Sequence, residues 1–167
     1  MLAAPSGHQF DISAGEHRAT IVEVGAAIRR YEIDGFDVLD PFDENAMADG
    51  ARGMPLLPWP NRLGDGRYSW DGITHQLPLT EPAQGNAIHG LLGWRSWTCV
   101  AHEPSRVVMR ARLLPSPGYP FALLVDVAYA LSDTGLRVET SATNVGTDPC
   151  PYGTGHHPYL SAGGSLD

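Results

Sequence analysis

Fourteen prolines and nineteen glycines punctuate the 167 residues, and no long segment keeps an apolar repeat of 3.6 residues. Punctuation this frequent rules out long helices and leaves short extended runs separated by turns. One such run covers residues 17–24, where Ala19-Thr20-Ile21-Val22-Glu23-Val24 is rich in β-branched side chains and ends at Gly25. A second, 27–33, meets Asp34-Gly35 and resumes as Phe36-Asp37-Val38-Leu39. Asp-Gly between two alternating runs is a hairpin signal, because both central residues of a type I′ turn need positive φ. The device recurs at Asp71-Gly72, between runs at 66–70 and 73–77. Further strands are expected at 96–101, 106–114, 121–131 and 136–144, with Asp133-Thr134-Gly135 turning between the last two. The Pro-, Gly- and Asp-rich stretch from Leu39 to Tyr68 reads as irregular connection. With no internal repeat, low-complexity tract or linker, the expected architecture is all-β, an antiparallel β-sandwich in one domain.

Charge and composition narrow the partners. A net charge of −8, eleven scattered Arg and no Lys argue against nucleic acid, whose phosphates need clustered cations. The same acidity argues against attraction to an anionic membrane surface, and no run approaches the ~20 apolar residues of a spanning helix. Met1–Gly7 has neither the basic region nor the apolar core of a signal peptide, so a cytoplasmic location is expected. Cys99 and Cys150 are isolated and read as free thiols. None of this excludes a neutral polyol ligand.

Three polar clusters carry the chemistry. In Pro58-Trp59-Pro60-Asn61-Arg62, two prolines stiffen an extended loop that presents an amide and a guanidinium with little entropy left to lose. The planar fork of Arg62 suits adjacent sugar oxygens; the alternative is a surface arginine paired with Asp65 or Glu81. In Asn86-Ala87-Ile88-His89-Gly90, the glycine lets the backbone turn or approach a ligand. Trp94 and Trp97 follow, either as stacking surfaces for a sugar or as core, with core favoured for Trp97. In Gly155-His156-His157-Pro158-Tyr159, neighbouring side chains of an extended segment face opposite ways, so one histidine serves a given site. Pro158 restricts the residue before it, which makes His157 the candidate and His156 its neighbour. Adjacent histidines are poor metal-ligand spacing, and no other His or acid pattern resembles a zinc site.

In this order and at this spacing, Gly53-Met54-Pro55-Leu56-Leu57-Pro58-Trp59-Pro60-Asn61-Arg62, His89-Gly90 and Gly155-His156-His157-Pro158-Tyr159 closely resemble the aldose 1-epimerases, or galactose mutarotases. The resemblance runs from about Phe10 onward and implies a galactose mutarotase-like supersandwich that interconverts the α and β anomers of a hexose such as galactose or glucose. It implies ring opening by an acid that protonates the ring oxygen and a base that takes the C1 hydroxyl proton, with no metal and no organic cofactor. It assigns His157 as the acid and Arg62 and His89 as sugar contacts. Asn61, which stands before that arginine, and Tyr159, the aromatic residue after the histidine, are expected among the substrate-binding residues. Imidazole suits the acid role, since it exchanges a proton near neutral pH.

Family members place the general-base glutamate, and a substrate-binding aspartate before it, beyond the region matched here. The resemblance therefore makes residues 1–167 the N-terminal portion of a single β-sandwich domain, with the base expected past Asp167. A half-sandwich exposes sheet edges, from which self-association or poor solubility is expected. Glu81, Asp65 and Asp71 are not assigned as bases, being turn and loop groups. Two other readings stand beside the epimerase: a non-catalytic carbohydrate-binding module on the same fold, and a hexose-6-phosphate mutarotase, against which the lack of Lys weighs.

Overall fold

A computed structural model describes residues 4–163. In chain order its strands are β1 (Gln9–Ala14), β2 (His17–Val22), β3 (Ile28–Ile33), β4 (Phe36–Asp37), β5 (Pro55–Leu56), β6 (Arg62–Gly64), β7 (Arg67–Trp70), β8 (Ile73–Gln76), β9 (Asn86–Ile88), β10 (Thr98–Glu103), β11 (Arg106–Leu113), β12 (Leu123–Ser132), β13 (Gly135–Asn144) and β14 (Gly155–His156). The helical element among the described residues is a single 3-10 turn, Pro82–Gln84. No described helix is long and apolar enough to cross a membrane.

Two antiparallel four-stranded sheets, β1-β2-β3-β4 and β10-β11-β12-β13, carry the core between them. In the second sheet the inward face follows from alternation, most strictly in its longest buried strand. In β12, Leu123, Val125, Val127, Tyr129 and Leu131 are buried while the intervening residues are not. They meet Ile12, Ile21 and Tyr31 of the first sheet and Val107, Met109 and Trp97 in one cluster. Burying each such side chain contributes about 1.5–3 kcal/mol. Two of the large polar-tipped side chains in this core are satisfied by backbone carbonyls: the Tyr129 hydroxyl donates to Ala26 O at 2.5 Å, and the Trp97 indole donates to Leu92 O at 3.1 Å.

The hairpins form at the expected turns. Asp34 and Gly35 have φ of 49° and 78°, and Asp71 and Gly72 have 48° and 74°. Cys99 and Cys150 are free thiols. The expectation of irregular chain between Leu39 and Tyr68 needs correction, because β5 and β6 lie in it. Both are two or three residues long and exist only through hydrogen bonds to distant partners, so no local pattern announces them. β1 also lies outside the expected runs, although Phe10, Ile12 and Ala14 alternate as a half-buried strand should.

The short strands position the site. A strap from Pro151 to Tyr159 is tied down along Met54–Pro58. Tyr119 donates its hydroxyl to Pro151 O at 2.7 Å, and Gly153 N donates to Pro58 O at 2.7 Å. β14 then pairs with β5, Gly155 opposite Leu56 and His156 opposite Pro55. A small cluster of Val22, Ala27, Phe42, Ala48, Ala51, Met54 and Leu56 packs beneath.

Candidate active site

Asn61 and His89 form a reciprocal pair that brings two loops together. Asn61 has φ of 60° and His89 of 61°. In these bends His89 N donates to Asn61 O at 3.0 Å, and Asn61 N donates to His89 Nδ1 at 3.1 Å. Just beyond, β6 pairs with β9, placing Arg62 opposite Ile88. Arg62 and His89 therefore sit at one end of the same two-stranded ladder.

The backbone donor at Nδ1 fixes the histidine's chemistry. A backbone N–H cannot accept, so Nδ1 carries the lone pair and neutral His89 holds its proton on Nε2. Burial lowers the His89 pKa, and the nearby His157 and Arg62 lower it further, with Glu81 opposing. His89 is thus a neutral donor at physiological pH. Since its folded pKa lies below the unfolded one, the native state binds fewer protons there. The stability that neutral His89 contributes is present above the ordinary value of 6.5 and is lost as pH falls through the folded pKa. A proton NMR titration of the His89 Cε1–H should give a midpoint below 6.5, with stability declining on acidification through that range. A midpoint at or above 6.5 would contradict it.

His157 enters from the strap. Its backbone is held on both sides, His157 N donating to Met54 O at 3.0 Å and Gly53 N to His157 O at 2.8 Å. The two adjacent histidines diverge. His156 Nε2 lies 3.1 Å from Thr140 Oγ1 on β13. The His157 ring lies 5.1 Å from the His89 ring, edge to face at 81°. Tyr159 also stands beside the His157 ring, at 5.1 Å and 81°. Arg52 stands over the Tyr159 ring, its guanidinium 4.4 Å from the ring centre. Arg52 is itself held by Asp49 at 2.9 Å and by Asp40.

A cleft of about 690 Å³ opens here, within the usual range for small-molecule sites. Arg62, His89, His157 and Tyr159 all contribute to its wall, with Met54, Leu56, Leu91 and Trp94 supplying apolar surface. Asn61 stands at the edge, positioning His89 through its backbone and meeting Arg62 Nη1 with its Oδ1 at 3.4 Å. Trp97 is core at 2% exposure, whereas Trp94 is 56% exposed on the cleft wall. Asp65 and Asp71 lie at turns outside the cleft. Glu81 does line it, and is bound by Arg62: Nε donates to Oε2 at 2.6 Å and Nη2 to Oε1 at 2.9 Å. The Arg62–Glu81 pair weighed in the sequence thus exists, but within the cleft wall. Sequence reasoning passes over Glu81 and Arg52 as site residues because their roles depend on partners far along the chain.

Comparison with known proteins bears on the family and the fold. The sequence profile of the aldose 1-epimerase family matches residues 8–167. The uncharacterized protein YihR of Escherichia coli (strain K12) is 42% identical over 157 residues, 93% of this chain and 51% of YihR. YphB, another uncharacterized protein of that strain, is 28% identical over 90% of this chain and 51% of its own length. The crystal structure of the GalM/aldose epimerase homologue from C. elegans superposes with a TM-score of 0.83 at 23% identity, covering 95% of this chain and 52% of that one. The chain spans about half the length of the curated relatives it matches. It belongs to the aldose 1-epimerase family.

Proposed function

We propose that the chain supplies the acid and sugar-binding side of an aldose 1-epimerase acting on a hexose such as galactose or glucose, as the N-terminal portion of a single β-sandwich domain. One observation supports the reading above the rest: Arg62, His89, His157 and Tyr159, drawn from three distant segments, converge on a single cleft. In this reading His157 protonates the ring oxygen as the C1–O5 bond breaks, while a carboxylate takes the C1 hydroxyl proton and the C1–O1 bond becomes the aldehyde. Rotation about C1–C2 and reclosure on the other face return both protons and yield the opposite anomer. His89 donates from Nε2 and Arg62 from its guanidinium to sugar oxygens, and Tyr159 holds the His157 ring at its working angle. Trp94 and the aliphatic wall receive the C–H face of the pyranose.

Glu81 is the sole carboxylate on the cleft wall among the described residues, and both its oxygens are engaged by Arg62. That favours a base from the part of the family's length that this chain does not span. It also favours, as the second reading, sugar binding without anomer exchange by these residues alone. Amide and side-chain NMR spectra of the chain with galactose and glucose test the proposal, together with anomeric proton exchange against a protein-free blank. The expected result is saturable shifts at His89, His157 and Arg62. Unchanged signals at high hexose concentration in a folded sample would overturn the sugar-site reading, while exchange above the blank would overturn the assignment of the base to other sequence.

A further inference from the structure

We infer that Glu81 is a positioning residue that orients Arg62 for the sugar, an inference resting on the epimerase reading above. Glu81 is itself held by the backbone. Its N–H donates to Asn86 O at 2.9 Å, and its carbonyl accepts from Asn86 N at 3.1 Å and Gln84 N at 3.1 Å. These bonds close a tight loop around the Pro82–Gln84 turn, completed by Gly85 in the left-handed region at φ 70°. The preceding residue ties this loop to the site, since the Thr80 hydroxyl accepts from Ile88 N at 2.8 Å. Ile88 lies opposite Arg62 in the β6–β9 ladder and directly before His89. Glu81, Arg62 and His89 therefore share one frame.

The fork between the two side chains has a geometric consequence. A bidentate pair of N–H···O bonds, one to each carboxylate oxygen, fixes the rotation of the guanidinium as well as its location. A guanidinium carries more N–H donors than the bonds to Glu81 and Asn61 consume, and the remainder are left for sugar oxygens. An ion pair whose arginine is half exposed adds little to stability, so the pair's contribution is orientation. Proton transfer is a poor use for this carboxylate. Arg62 holds Glu81 below the ordinary carboxylate range, which weakens it as a base.

The test follows Arg62 directly. The Arg62 Nε–H signal, the galactose and glucose dissociation constants, and the amide spectrum are measured for wild type, Glu81→Gln, Arg62→Ala and the double variant. In Glu81→Gln the Nε–H signal should move to the position of a solvated arginine while the amide spectrum keeps its dispersion. Hexose binding should weaken about tenfold, the loss of one oriented charge-assisted bond. In the Arg62→Ala background the same change should cost nothing further, because a positioning residue acts only through the group it positions. An unmoved Arg62 signal, or an undiminished effect of Glu81→Gln without Arg62, would overturn the inference. If the wild-type chain bound no hexose while the Arg62 signal still responded to Glu81→Gln, the sugar reading would fail and the Glu81–Arg62 orientation would stand.

Discussion

A Gly90→Ala variant should lose more than about 4 kcal/mol of stability, or fail to fold, because the new methyl group has nowhere to go. Gly90 has φ of 80°, and a Cβ at that position would lie 1.8 Å from Leu57 O and 2.2 Å from Leu57 C. Both are backbone atoms of a residue with no exposed surface. They cannot swing aside, since Leu57 bridges Gly90 and its carbonyl accepts from Leu91 N at 2.7 Å. A flexible side chain in that place would let the strain relax at small cost; a buried peptide group does not. Gly72→Ala is the control. Its φ is a comparable 74°, yet no heavy atom lies within 4 Å of where its methyl group would stand, so only the conformational cost of about 1 kcal/mol remains. Urea unfolding of the two variants separates steric collision from backbone preference. Equal losses would show that Leu57 can yield. Because His89 immediately precedes Gly90, a displaced backbone there also uncouples His89 from Asn61, and hexose binding should disappear with stability.

The second large effect is functional. Wherever this cleft works together with a carboxylate base, His157→Ala should lower anomer exchange about 10²–10⁴-fold, the usual worth of a positioned general acid. The fold should survive the change. The bonds that hold residue 157 to Gly53 and Met54 are made by its backbone, and an alanine keeps them. His156→Ala is the matched comparison, since its ring is turned to Thr140 on β13 and away from the cleft. It should leave exchange near the wild-type rate. Exchange spectroscopy on the anomeric protons reads both variants directly, and a large loss in His156→Ala with none in His157→Ala would reverse the assignment.

The architecture is largely legible from local pattern. Alternation in the segment that forms β12, and in the second half of β11, shows which residues face inward, because a strand has a period of two whatever its neighbours are. The two Asp-Gly turns are equally local, since positive φ at both positions is a property of the dipeptide itself. The divergence of His156 and His157 follows from the same period.

What the chain does not disclose is how its site is assembled. β5, β6, β9 and β14 are too short to carry a pattern, and each is a strand only because a distant segment supplies its hydrogen bonds. Arg62 is visible as a loop arginine with Glu81 among its possible partners, but that their ion pair forms part of a cleft wall depends on the β6–β9 register. Asn61 is visible as the neighbour of Arg62, yet its bond to His89 spans 28 residues. Arg52 behind Tyr159 has no local signal at all. Sequence alone determined the all-β class, the principal hairpins and the histidine facing, because steric and solvation preferences act within a few residues. The tertiary structure decided the cleft, the Nε2 donor of His89 and the orientation of Arg62, because those arise from hydrogen bonds closed across long loops.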